Sequence, residues 1–257
     1  MKQTGFKYAY LQPLFTDIES LRGEGVYRQL PAPQASSSIA TDDAPLGEYA
    51  ASTLIRASFA AGVAHADALR RLRDAGEMDP TSPWTLLRGS LENFATAAWL
   101  LGAGSDRPER RLRTLRLWRE DMRNRAQHEE ITAHVPEDGG KTGRERVQEI
   151  EALALSLGIA HPRAKPQAGK VIEEAAEGAG LAPKKATAVW NAASGFAHGR
   201  YWPNLRVSTP IDALRGGPDH YLMALVINED EHRPLARYTH DFLKHVQNRY
   251  IARATVH

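Results

Sequence analysis

The chain has 257 residues, a formal net charge of +2 and no cysteine. At that length it can bury a core unaided, and the missing thiols exclude disulfide frameworks, Cys-based zinc sites and thiolate nucleophiles. No stretch of roughly 18 apolar residues is free of charge. The first residues lack the basic flank, apolar run and cleavage site of a signal peptide, so a cytoplasmic protein without a membrane segment is expected. Arginine is abundant, 25 against 8 lysines, and beside the many Ala and Gly this reads as composition rather than as a selected chemistry.

Residues 1–45 contain QLPAPQASSSIATDDAP, rich in Pro, Ser and small residues. The segment reads as an irregular N-terminal arm, leaving 46–257 as a single helical-bundle domain. Asp42, Asp43, Pro45 and Glu48 carry helix-start chemistry, and a helix is expected over 46–74 with the stripe Leu54, Ser58, Ala61, His65, Ala68 and Leu72. Ser82-Pro83-Trp84 opens the next, with Ser82 as N-cap and Leu87, Leu91, Phe94, Ala98 and Leu101 as its core face up to Gly102. A third helix spans about 107–130 and is broken by VPEDGGKTG. A fourth covers 143–157 and stops at Gly158. After the linker HPRAKPQ come a short helix at 168–179 and another from Pro183 to Gly199. The stretch 200–218 is irregular with a short extended segment, and helices are expected at 219–227 and 232–254. The pattern predicts an all-α multi-helix bundle.

The third helix points charges inward. At 100° per residue Leu112, Leu115, Trp118 and Met122 define its apolar face, and Arg111 and Arg119 fall inside that sector, while Arg110, Arg113, Arg116 and Arg123 face solvent. Guanidinium groups facing a core need carboxylates. Glu92, one turn after Arg88 in an otherwise apolar helix, is the expected partner. A network of Glu92 with Arg88 and with Arg111 or Arg119 would be either a clip fixing helix register or an anion pocket. Later in the chain Asn191, Ser194 and His198 share a helix face. His198 sits where helix carbonyls favour an imidazolium, either as a cap or as a binding group. Glu229 and His232 make a single E-x-x-H, which falls short of a di-iron pattern. With no H-E-x-x-H and no phosphate-binding Gly loop, no metal or nucleotide cofactor is expected.

Arg88 and Glu92 in an apolar helix, Glu109-Arg110-Arg111 with Arg113 after it, and Ser194 followed by His198-Gly199 together resemble uncharacterised helical proteins of actinobacteria. Over roughly 82–200 the pattern is similar to HEPN-type bundles, which include toxin and abortive-infection ribonucleases and non-catalytic relatives. HEPN ribonucleases carry Arg, a polar residue, and His a few positions on, and Arg123-Asn124 with His128 fits. The resemblance implies a metal-independent ribonuclease shared across a homodimer. His128 would move the proton of the RNA 2′-hydroxyl or leaving group, and Arg123 would stabilise charge on the phosphate. Residues 106–125 hold eight Arg against four acids, a local surplus able to track a phosphate backbone. The first expectation is nevertheless a non-catalytic bundle that binds a ligand or an acidic protein partner. The ribonuclease is one alternative. The other is a small-molecule pocket between Glu92, Arg111, His65 and Trp99.

Overall fold

The N-terminal segment departs from expectation. The computed structural model describes residues 8–21, 30–102, 104, 106–136, 139–217 and 220–256, with the backbone alone at 213–222; residues 1–7 and 22–29 of the expected arm lie outside these. Within the described part, Gln12–Leu21 is a helix, α1, and Ser38–Asp43 another, α2. Leu11, Leu14, Phe15 and Ile18 are buried in the main core, so residues 9–21 are not an irregular arm. Apolar side chains at 11, 14, 15, 18 and 21 form one face of a 3.6-residue period, which the Pro- and Ser-rich tract behind them masks. Tyr250 donates to the Pro31 carbonyl at 2.7 Å, tying this segment to the far end of the chain.

The helices expected after residue 46 form with small shifts. α3 (Ala51–Ala75) follows a single 3-10 turn at Gly47–Tyr49, and Asp43 Oδ1 accepts from the Ala51 and Ser52 N–H groups at 2.7 and 3.4 Å. Its core face is Ile55, Phe59, Val63, Ala66 and Leu69; the expected stripe from Leu54 to Leu72 flanks that face half-buried. α4 (Ser82–Leu101) buries all five expected core residues, although Asp79 rather than Ser82 caps its start. α5 (Arg107–Thr132) is capped by Asp106, and α6 (Gly143–Ser156) opens with a capping box of Thr142 and Glu145. Next come α7 (Ala168–Gly178), α8 (Pro183–Ala197), ended by Gly199 at φ 61°, and the short α9 (Tyr201–Val207).

Strand β1 (Ser208–Gly217) then pairs antiparallel with β2 (His220–Ile227), and α10 (Glu229–Ala254) closes the chain. The helix expected at 219–227 is therefore a strand. Seven consecutive apolar residues after His220, as in HYLMALVI, suit either structure by periodicity, and breakers on both sides leave the run too short for a stable helix. Central to the bundle is α4, buried on nearly all sides and packed by α3, α7, α8 and α10, with α5 at its C-terminal end. Small residues set the α3–α4 approach: a Cβ on Gly62 would lie 2.6 Å from the Phe94 ring, and Ser90 Oγ donates to Gly62 O at 2.8 Å. α5 and α6 enclose a second cluster of Leu46, Tyr49, Leu115, Ile150 and Ala154. No described helix is long and apolar enough to cross a membrane.

Asp42 joins these parts. Its carboxylate, 3% exposed, accepts from Arg107 Nε at 2.8 Å, Arg110 Nε at 2.7 Å and Arg253 Nη2 at 2.5 Å. Arg253 also donates to Leu101 O at 2.5 Å, and Arg111 donates to Thr41 O and Asp42 O at 2.9 and 3.1 Å. Arg110 and Arg113, expected to face solvent, are 14% and 13% exposed, because carboxylates on other elements reach them. Burial alone would raise the Asp42 carboxyl, but hydrogen bonds and charge from Arg110, with Arg253 and Arg107, outweigh it and hold the group below the usual carboxylate range.

A second buried polar group closes the opposite end. His232, fully buried, has Nδ1 2.6 Å from Tyr10 Oη, and its ring lies edge-on to Trp84 at 4.6 Å; Trp84 in turn stacks on Phe196. Burial pushes the imidazole down to about 4. Half-buried His245 is lowered too, first by burial and then by Arg249.

Two outcomes are expected. Asp42→Asn should cost about 3 kcal/mol or more, since it leaves buried guanidinium charge without its carboxylate; a urea midpoint equal to wild type would show that the cluster contributes nothing. The unfolded chain protonates His232 near 6.5 while the native state resists until about 4. Stability should therefore fall as pH drops through that window and stop falling from this cause below it, a loss of about 3 kcal/mol at ~1.4 kcal/mol per pH unit. Urea titrations from pH 7 to 5 should give a shallower slope for His232→Gln than for wild type.

Candidate functional site

Of the side chains named from the sequence, Arg88 and Glu92 do pair, at 2.8 Å, both about one-quarter exposed. The second partner of Glu92 is not an arginine of α5 but Trp190 of α8, whose Nε1 donates to Glu92 Oε1 at 2.5 Å. Arg111 is turned to the α2 carbonyls, and Arg119 bonds Glu151 of α6 at 2.7 Å. The expected network thus splits into three, because α5 crosses only the C-terminal end of α4 and its middle turns face α6.

The other candidates disperse as well. Arg123 and His128 are both exposed on α5. Five residues correspond to 500° of helix, leaving the two side chains about 140° apart on one chain. Arg123 grips Glu120 with two hydrogen bonds, at 2.8 and 2.9 Å. Those bonds, helped by Lys165, hold Glu120 down to about 2. Asn191 and His198 are exposed and Ser194 half-buried along α8, with no hydrogen bond among their side chains. The His198 backbone N–H closes the helix on Ser194 O at 3.1 Å. His65 rests against Gly89, where an added Cβ would lie 2.9 Å from its ring.

What the fold does assemble is a groove between α4, α5 and α7, floored by one stripe of α4. Glu92, Thr96 and Trp99, at i, i+4 and i+7, face Leu117 of α5 and Val171 and Ile172 of α7 around a cavity of about 190 Å³. A second cavity of about 150 Å³ shares Trp99, Pro166 and Val171 with the first and is also lined by Arg116, Lys165 and Lys170. Trp99 is held at its edge and over its ring: Nε1 donates to Glu174 at 2.7 Å, and the Arg113 guanidinium lies over the ring 5.3 Å from the centroid. Arg113 bridges Glu109 and Glu174 at 3.0 and 3.4 Å, so the two acids at this end are already engaged. Arg116 donates to His161 O at 3.1 Å and has no carboxylate partner among the described residues.

The sequence-derived pocket of Glu92, Arg111, His65 and Trp99 is therefore half right. Glu92 and Trp99 line one cavity, Arg111 belongs to the Asp42 cluster and His65 to the α3–α4 contact. Val171, Ile172, Lys165 and Lys170 were missed. The available signal was the amphipathic pattern of α7 with a basic residue on each side of its start. The Asp42 cluster encloses only about 10 Å³, room for one water and no ligand. Comparison with protein-family models, curated proteins and solved structures finds no match to this chain.

Because Glu92 and Arg88 keep partial access to solvent, Glu92→Ala should be far milder than loss of Asp42. A cost of about 1 kcal/mol, or a Tm drop of roughly 2–4 °C, is expected. A loss comparable to that of Asp42→Asn in calorimetry would mean that Glu92 anchors the core.

Proposed function

We propose that the protein is a non-catalytic binding bundle whose α4–α5–α7 groove takes a small amphipathic anion. The observation that carries this is the pair of adjacent cavities that share Trp99, Pro166 and Val171, one apolar and the other lined by Arg116, Lys165 and Lys170. An aromatic or aliphatic body fits against Trp99, Leu117, Val171 and Ile172, and a carboxylate, sulfonate or phosphate at its end meets Arg116, Lys165 and Lys170. Arg113 is engaged to Glu109 and Glu174, Lys165 to Glu120 at 3.0 Å and Lys170 to Glu173 at 3.5 Å, so Arg116 is the cation at that end without a carboxylate partner among the described residues.

The ribonuclease implied by the HEPN resemblance has less support. All eight arginines of α5 have partners within the chain, seven of them on carboxylates or the α2 carbonyls and Arg116 on a loop carbonyl. Few remain to track phosphates, and Arg123 and His128 diverge unless a second chain completes the site.

The test uses 1-anilinonaphthalene-8-sulfonate, an apolar ring system with one anionic group, titrated calorimetrically into the folded protein. One saturable site is expected. Ala168→Trp, at an exposed position on the groove rim, should abolish it, and Lys165→Glu with Lys170→Glu should weaken it about tenfold, or ~1.4 kcal/mol. Affinity unchanged in both variants would overturn the assignment. Metal-independent cleavage of single-stranded RNA, lost in His128→Ala at unchanged Tm, would establish the ribonuclease instead.

A further inference from the structure

The hairpin is the least self-sufficient part of the fold. Its strands pack on each other and β1 packs on α9, and a two-stranded hairpin is at best marginally stable alone. α9 is seated by Pro203 against Gly195, where a Cβ would lie 2.4 Å from the proline ring. Between α9 and the strands lies an open cavity of about 310 Å³, lined by Tyr201, Leu205, Pro210, Met223 and Leu225. Of the eleven large apolar side chains exposed among the described residues, six fall in this unit: Tyr201, Trp202, Leu205, Ile211, Met223 and Val226. Exposed apolar surface concentrated in this way marks a contact site.

The two edges of the hairpin differ. β1 carries Pro210, Asp212 and Arg215, and its register breaks at Pro210/Asp212 and again at Arg215/Gly217, each break adding a residue on the β1 side. Proline, charge and bulges are the devices that keep an edge from pairing. β2 has none of them. His220–Ile227 is an unbroken HYLMALVI with no Asp, Glu, Lys, Arg, Pro or Gly, and no strand pairs with its outer edge among the described residues.

We propose that a second copy of this chain pairs along that edge, β2 antiparallel to β2, giving a four-stranded sheet in the order β1-β2-β2-β1. A two-fold pairing sets each residue opposite its mirror position, so charge near the axis meets like charge. About an axis at Ala224, position 223 comes opposite 225, 222 opposite 226 and 221 opposite 227 of the other copy, so Met meets Leu, Leu meets Val and Tyr meets Ile, and only His220 at the strand's start meets a polar position, Asn228. The same pairing through β1 would set its proline and charged positions against those of its mate. Pairing through β2 satisfies the open backbone groups and covers Met223 and Val226.

Ala224 is exposed, so charge there is harmless to the single chain. Wild type should sediment as a dimer at micromolar concentration, Ala224→Lys and Ala224→Glu each as folded monomers with unchanged circular dichroism, and their equimolar mixture as a heterodimer. In this cysteine-free chain Ala224→Cys should also oxidise to a single disulfide-linked dimer. A monomeric wild type, or a dimer that Ala224→Lys leaves intact, would overturn the pairing. Neither result bears on the α4–α5–α7 groove.

Discussion

One buried carboxylate organises the helices. Asp42 sits at the end of α2 and gathers Arg107 and Arg110 from the start of α5 and Arg253 from the end of α10. Three guanidinium groups on one carboxylate leave a positive surplus, which helix ends take up. Arg253 donates to Leu101 O, Arg113 to Trp99 O and Arg111 to the last carbonyls of α2. The final turns of α4 and α2 point unpaired carbonyls and the negative ends of their dipoles into the protein, where water cannot reach them all. Arginine answers both needs, with several donors in a fixed fork and a charge it does not lose. The cluster is a joint between four helix ends, and its enclosed space of about 10 Å³ fits that role rather than a ligand site.

The groove follows from where that joint sits. Arginines fasten α5 at the C-terminal end of α4, and α7 packs along the middle of α4, so the two flanking helices diverge over Glu92, Thr96 and Trp99. The linker through Pro166 roofs the gap only in part. Trp99 is fixed by bonds at its indole N–H and its own carbonyl, the second made by Arg113, whose guanidinium also lies over the ring. With only 5% of the residue exposed and the Arg113 guanidinium over its ring, Trp99 offers the groove a rigid aromatic wall, so little ordering entropy remains to be lost there on binding.

Local features were legible in the sequence, and distant partnerships were not. The core face of α4, the starts of α5 and α6 and the Gly199 terminus each depend on neighbours within a turn or two. Asp42 reads as turn chemistry beside Asp43 and Pro45, and its partners lie 65, 68 and 211 residues away. Glu92 was correctly singled out as a carboxylate needing a partner. Trp190, 98 residues on, is a donor that no charge-matching rule selects. α1 was overlooked because a ten-residue amphipathic helix is brief beside a long low-complexity tract. β2 was misassigned because seven consecutive apolar residues after His220 carry no periodicity to separate strand from helix.

The eight arginines of α5 show how composition misleads about function. Summed along 106–125 they suggest a cationic track, yet Arg107 and Arg110 face Asp42, Arg113 faces Glu109 and Glu174, Arg119 faces Glu151, Arg123 faces Glu120 and Arg125 faces Glu129. Every such pair lowers the field that α5 projects, because opposite charges within 3.4 Å act outward as a dipole rather than as a free charge. Among the described residues and outside the Asp42 cluster, Arg116 is left with a carbonyl and no carboxylate, beside Lys165 and Lys170, which pair with Glu120 and Glu173. The cationic character that α5 leaves unmatched by a carboxylate is thus narrowed to one arginine at the groove, which suits a single anionic group better than a polymer of phosphates.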